Sequence, residues 1–524
     1  MPNDRITPPT RKWLALLAIC AAAAAMPLTF TGTAVALPAI GHALGGTPVA
    51  MAWATNAFML TFGSALMVAG ALADNHGRRR VFLSGSLAFA LFSLALVFAP
   101  GILVFDLLRG GQGLAAAAAY AGGAAALAQE FEGQARLRAF SLMGTSFGVG
   151  LALGPIASGL MIEVFGWRSI FLAVVALTTF AFVLARFALT ESRDPASSGL
   201  DSRGALVFTA MLALFTCGML LVPERGWSSA SVLALLVGSL VCLVAFIAAE
   251  RRISRPMLDL SLFRYPRFVG VQLLAAAPAY GFVVLLVLLP LRFVGIEGMG
   301  EVAAGSMMIA LSTPLLVLPV VAGMLVRWFQ PATICGAGLL VSAAGLFWLA
   351  LTPIGAPVAE TALPMLLIGL GISLPWGLMD GLAVSVVPKE RAGMATGIFS
   401  TVRVAGEGVA LAVVGAVLSM LISGSIAASD VAGNAPAAAQ RLAGGDLQGA
   451  LALLPGTDSA TLLALYGQAF AWLLMLLAGI TAITAVVVFL FLGSGETPNP
   501  VAATEPDEAQ TPPPPRASSP SCSA

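Results

Sequence analysis

Five ionisable residues fall inside long apolar runs, where charge is expensive and is kept for a reason: Asp106, Arg109, Asp380, Arg403 and Glu407. Asp106 and Arg109 are three residues apart, and Arg403 and Glu407 four, so each pair shares one helical face. Asp380 lies about eight residues from the nearer end of its apolar run, roughly 12 Å deep at 1.5 Å per residue. A carboxyl at such depth beside an arginine is caught between desolvation and the neighbouring charge. That balance suits a group that takes up and releases a proton. The same residues read equally well as static ion pairs locking adjacent helices.

A second concentration of charge is Gly70-Ala71-Leu72-Ala73-Asp74-Asn75-His76-Gly77-Arg78-Arg79-Arg80. It is a short polar turn between two runs of membrane-spanning length. Other chemistries find no support. The two histidines, His42 and His76, are far apart, and four of the five cysteines lie in apolar runs, so neither a metal cluster nor a disulfide framework is expected. There is no Ser/His/Asp arrangement, no HExxH and no GxxxxGK[ST], so an enzyme, a cofactor and ATP-driven work are not expected. A net charge of +1 gives no reason to expect a nucleic-acid partner.

The elements that position these residues follow from composition. The 524 residues are 59% hydrophobic and 10% charged, with a mean hydropathy of +0.96. Apolar runs of about 18 or more residues recur, enough to cross a hydrocarbon core of roughly 30 Å. They lack the alternation of barrel strands, and lipid demands that backbone groups bond within their own segment. The expected class is an all-α integral membrane protein. Fourteen spans are expected near 13–37, 50–72, 80–99, 102–128, 138–163, 167–188, 204–222, 230–249, 268–293, 301–326, 332–352, 361–387, 395–424 and 463–492. With both ends in the cytoplasm, twenty Lys and Arg lie inside and four outside, the positive-inside asymmetry of a multi-pass cell-membrane protein. An external loop at 425–462 is expected to hold a short surface helix, and the Pro- and Ser-bearing segment 493–524 reads as a disordered tail.

Taken in order, the motifs resemble the major facilitator superfamily, and within it the fourteen-span drug:proton antiporter branch, over roughly residues 13–492. Gly70-x-Leu72-Ala73-Asp74-x-x-Gly77-Arg78-Arg79-Arg80 is similar to its signature turn between spans 2 and 3. Arg109-x-x-Gln112-Gly113 resembles its span-4 motif. Gly150-x-x-x-Gly154-Pro155-x-x-Ser158-Gly159 resembles its antiporter motif. Asp201-x-x-Gly204, Gly226-Trp227, Glu250-Arg251-Arg252 and Pro256 to Phe263 are similar to the segments around two extra central helices. Pro388-x-x-Arg391-Ala392-Gly393-x-x-x-Gly397 with Arg403 resembles the junction of spans 12 and 13.

The resemblance implies two pseudo-symmetric six-helix bundles plus two inserted helices. The boundaries would be an arm at 1–12, a first bundle at 13–190, inserted helices with their loops at 191–264, and a second bundle at 265–492. It implies alternating access, one bundle rocking against the other around a midplane site. Gly70, Asp74, Gly77 and Arg78 would form a gate, with Asp74 facing the start of span 13 at Gly393–Met394 and Arg78 meeting Glu130. Arg79 and Arg80 would mainly fix topology. Gly150, Gly154, Pro155 and Gly159 would form a close-packed, leak-resistant interface. Proton coupling would fall to Asp106, Arg109, Asp380, Arg403 and Glu407. Thr31, Thr33, Asn56, Gln112, Tyr280 and Trp376 are candidates to line the substrate cavity.

One departure bears on coupling: the acid and the Asn usual in the family's first span are replaced by Thr29 and Ala34. Either coupling falls to Asp106, Asp380 or Glu407, or the substrate is neutral or anionic; the leading expectation is proton-coupled efflux of small amphipathic drugs or secondary metabolites. The alternatives are a carrier of the same fold for a neutral or anionic metabolite without proton antiport, and a non-transporting receptor or scaffold. The expected partners are a small molecule, protons and the lipid bilayer, with the chain acting as a monomer.

Overall fold

The computed structural model describes residues 9–131, 133–193, 202–252, 260–386, 392–429 and 431–493. Fourteen helices in it are long and apolar enough to cross a membrane. We call them spans 1 to 14: Thr10–Leu44, Pro48–His76, Arg78–Val97, Ile102–Glu130, Arg138–Phe165, Arg168–Ala188, Arg203–Arg225, Ala230–Glu250, Pro266–Ile296, Glu301–Leu325, Pro331–Leu351, Val358–Ala383, Gly397–Ala427 and Ser459–Gly493. No strand occurs among the described residues. Asp201, Pro388, Lys389, Arg391 and the segment 494–524 lie outside the described residues.

Spans 1–6 pack on one another, as do spans 9–14, while spans 7 and 8 pair together and lean on the rest through contacts of span 7 with spans 2 and 13. Local sequence sets the breaks. Thr47 caps span 2 by accepting from the Ala50 backbone N–H at 3.2 Å, with Pro48 as the first helical residue. Spans 2 and 3 are separated by Gly77 alone, at φ +113°. A Cβ there would be strained in conformation and would also strike the Glu191 carboxylate.

Span 9 is not a uniform α-helix. The Val284 N–H reaches back to the Ala279 carbonyl at 3.1 Å and the Glu297 N–H to the Arg292 carbonyl at 2.9 Å. These five-residue steps make π turns of Ala279–Val283 and Leu291–Ile296. Where one short surface helix was expected between spans 13 and 14, the structure has two, Ala435–Ala443 and Leu447–Leu451. Arg292, one of the four basic residues expected on the external side, is buried within the protein at the end of span 9, with its Nε donating to Glu297 at 2.6 Å.

We call the end of the molecule that carries Asp74 and Arg78 the basic end, and the opposite one the far end. Span 1 packs against the far half of span 9, at Leu285–Pro290 and Leu291–Ile296, and span 5 mainly against the far half of span 10, at Glu301–Ser312. Spans 2 and 13 touch at mid-length, where the Gly63 Cα lies against the Ala405 backbone and Gly408 against Met59. On the basic side the Asp380 side chain is 59% exposed although its partner Arg403 is only 7% exposed. The bundles are shut at the far end.

Candidate functional site

At the basic end, Gly77 sets Arg78 one turn beyond Asp74. Arg78 donates through Nε and Nη2 to Asp74 Oδ1 at 3.1 and 2.9 Å, and through Nη1 to Gln129 Oε1 at 3.0 Å. The expected Arg78–Glu130 pair is not formed. Neighbouring helical residues point about 100° apart, so Gln129 faces Arg78 while Glu130 turns away and accepts from the Thr190 hydroxyl. Arg79 donates to the Arg186 carbonyl at 2.7 Å, and Arg80 pairs with Glu191 at 3.5 Å. The turn is thereby tied to both span 4 and the segment after span 6.

Inside the first bundle, Arg109 is wholly buried. Its Nε donates to the Ala54 carbonyl at 2.8 Å, and its Nη1 to Gln112 Oε1 at 2.5 Å and Thr29 Oγ1 at 3.3 Å. The Phe58 ring covers the guanidinium with its centroid 4.6 Å away. Gln112 Nε2 in turn donates to Ser93 Oγ at 2.8 Å. Asp106 does not join in: its buried Oδ1 has no hydrogen-bond partner. The i,i+3 spacing put the two side chains on one face, but the carbonyl of Ala54 and the polar cluster at Thr29 draw the guanidinium across to spans 1 and 2. Arg109 Nη2 is left buried and unpartnered.

The third group bridges the two bundles. Arg403 of span 13 points Nη1 at Asp380 Oδ1 and Oδ2, 3.3 and 3.5 Å away, and Nη2 at the Tyr120 hydroxyl of span 4, 3.4 Å away. Its guanidinium lies 5.5 Å from the Phe399 ring and 6.0 Å from the Trp376 ring. Glu407, one turn along span 13, is buried. Tyr120 stands edge-on to Phe62 and to Phe147, each with centroids 6.1 Å apart, and Trp376 meets Phe282 at 6.3 Å. Asp380 is shallower than its sequence position suggested, because the helix of span 12 ends at Ser385, about 8 Å away along the axis. That position leaves its side chain far more exposed than that of Arg403. Aromatic walls with a few polar anchors are what a pocket for amphipathic molecules requires.

The other residues singled out in the sequence lie as follows. Thr31 and Thr33 are buried and donate to the carbonyls of Pro27 and Thr29 in their own helix, at 2.9 and 2.7 Å. Gly150 and Gly154 admit the backbone of span 1 and the Thr31 side chain, whereas Gly159 lies against the Glu301 carbonyl and the Pro155 carbonyl against Gly305, both in span 10. The span-5 motif thus joins one partner in its own bundle to another across the interface. The Tyr280 hydroxyl bonds to Thr484 at 2.5 Å, which turns it toward span 14. Asn56 faces a separate cavity at the far end, and Gly70 has open space around its Cα. Sequence reasoning missed Tyr120, whose only signal is rarity: one of four tyrosines, set in an alanine-rich run.

Residues 17–411 match the model of the Major Facilitator Superfamily. The chain is 30% identical over 400 residues to the multidrug resistance protein Stp of Mycobacterium tuberculosis, covering 75% of this chain and 73% of that one. It is 26% identical to the tetracenomycin C resistance and export protein of Streptomyces glaucescens, over 93% of this chain and 92% of the other. It is 34% identical to the cephamycin export protein CmcT of Amycolatopsis lactamdurans, over 75% and 82%. Among solved structures, a bacterial homologue of the human lysosomal transporter Spinster, in an inward-facing and unoccupied conformation, shares the fold. Its TM-score is 0.62 at 15% identity, over 93% of this chain and 98% of that one. These relatives are transporters rather than enzymes, and with the family model spanning most of its length the chain belongs to the major facilitator superfamily.

Proposed function

We propose that this transporter exports small amphipathic compounds, drugs or secondary metabolites, from the cell in exchange for protons. The observation that carries the reading is Arg403, shared between the Asp380 carboxylate of its own bundle and the Tyr120 hydroxyl of the other. When Asp380 is ionised it holds Arg403. When Asp380 takes up a proton, that hold weakens and Arg403 is free for Tyr120 and the buried Glu407, so proton occupancy is linked to how the bundles meet. Asp74 and Arg78 serve as the latch of the opposite orientation. The basic end is cytoplasmic and the membrane is the cell membrane, as the twenty-to-four distribution of basic residues supports. One chain supplies the whole pathway. The relatives' printed names, which include multidrug resistance and antibiotic export proteins, support the substrate class.

The test is overexpression in a drug-sensitive host against a panel of toxic compounds, with and without a protonophore, followed by assays in inverted vesicles. Expected is resistance that the protonophore cancels, and a loss of pH-driven uptake in Asp380→Asn. Unaltered pH dependence in both Asp380→Asn and Glu407→Gln removes the coupling assignment. A second reading, transport of a neutral or anionic compound without proton antiport, is favoured by Thr29: it leaves Arg109 facing a hydroxyl where the family usually has a carboxylate. Protonophore-insensitive resistance would select it.

A further inference from the structure

At the far end a cavity of about 100 Å³ lies between the bundles, separate from the Arg403 cluster. Leu37 of span 1, Asn56 of span 2, Leu288 of span 9 and Ser419 of span 13 form its sides, and Gln440 belongs to the first helix of the loop between spans 13 and 14. No charged residue lines it among those described. Its polar feature is specific. Asn56 is 3% exposed, and its Nδ2 is committed to the Ala52 carbonyl at 2.9 Å. Its Oδ1 is buried without a partner. An acceptor left in that condition is a standing demand for a donor.

The roof is a folded element. Asn434 caps the helix Ala435–Ala443 by accepting from the Ala437 N–H at 3.2 Å. Arg441 pairs with Asp446 at 2.9 Å, and Asp446 caps the next helix through the Gly449 N–H at 2.8 Å. Between them Gly445, at φ +81°, lets the chain settle directly onto span 9 at Gly295, where an added Cβ would come within 2.7 Å of the Gly445 Cα. Ala443 and Gly444 close the cavity from above.

We propose that this cavity is a far-end subsite that receives the uncharged, hydrogen-bond-donating end of a transported amphipathic compound at Asn56, under a lid made by the Ala435–Ala443 helix. The volume accommodates one end of a drug-sized molecule rather than the whole. The absence of charge selects hydroxyl or amide donors over cations. The inference rests on the export reading, since a compound leaving toward the far end must pass this point when the bundles part there.

The experiment uses the full chain in lipid nanodiscs, with the five native cysteines replaced and Ser419→Cys introduced. The rate of labelling by a membrane-impermeant maleimide is the readout. Chloramphenicol, uncharged with hydroxyl and amide donors, is the probe, and ethidium is the cationic control. Expected is a severalfold slowing of labelling by chloramphenicol and none by ethidium, with Asn56→Leu abolishing the protection. Gly295→Val, which unseats the lid, should raise the unprotected rate severalfold. Absence of protection by chloramphenicol, or equal protection in Asn56→Leu, overturns the subsite and leaves Asn56 a residue solvated by water only. An unchanged rate in Gly295→Val overturns the lid. Labelling needs no gradient, so the subsite can fail while export stands, and protection without any export in cells would sink the transport reading instead.

Discussion

Gly159→Ala provides a direct test of the closed far end. A Cβ on Gly159 would lie 2.5 Å from the Glu301 carbonyl oxygen and 3.0 Å from its carbon, both backbone atoms that cannot swing aside. Overpacking of this kind costs about 1–3 kcal/mol. Because spans 5 and 10 belong to different bundles, the cost falls on the far-end-closed state and is relieved when the bundles part there. The closed population should therefore drop about 5- to 150-fold relative to the open one. Spin labels at Val164→Cys and Val358→Cys, both exposed at the far end, report the separation of the bundles by pulsed electron–electron resonance. The substitution should enrich the longer distance. Gly144→Ala on the same helix is the control, since nothing lies within 4 Å of its Cβ position. A distance distribution unchanged in Gly159→Ala, or shifted equally in Gly144→Ala, refutes the reasoning.

Asp74→Asn should change thermal stability by no more than about 1 kcal/mol, since the carboxylate is part-exposed, yet slow transport roughly tenfold; stability curves beside vesicle uptake test the split. Tyr120→Phe keeps the ring between Phe62 and Phe147 but removes one interbundle hydrogen bond worth about 0.5–1.5 kcal/mol. Gradient-driven transport should fall roughly two- to tenfold, with drug binding at equilibrium preserved. Thr29→Asp should set a carboxylate against Arg109 and Gln112, adding about 1.5–3 kcal/mol through charged hydrogen bonds; a lower melting temperature in detergent would contradict it.

The span count and the polar turns were legible because hydropathy and basic residues act through the lipid, whatever the helices pack against. The facing of individual side chains was not. Asn56, Tyr280 and Thr31 lie in helices apolar on every side, where no amphipathic stripe tells cleft from neighbour. Tyr280 is also displaced by the π turn that contains it, which aims it at Thr484. Glu130 and Gln129 are both polar and adjacent, and only the packing of span 4 decides which of them meets Arg78. Tyr120 escaped notice because its partner is 283 residues away. The candidate pairings made within one helix fared worst where a carbonyl from another helix competed, as Ala54 does for Arg109.

The two π turns of span 9 have a consequence for chain length. Each is in effect a helix holding one residue more than its α register needs. Removing one residue from Ala279–Val283 can restore an α turn while Phe268 and Leu288, on either side, keep their faces. The same deletion in span 13 would rotate everything beyond it by about 100° and break the alignment of Arg403 with Asp380. Among the described spans, span 9 is thus the one in which deletion of a single residue, and not only substitution, is open to the protein as a route of change.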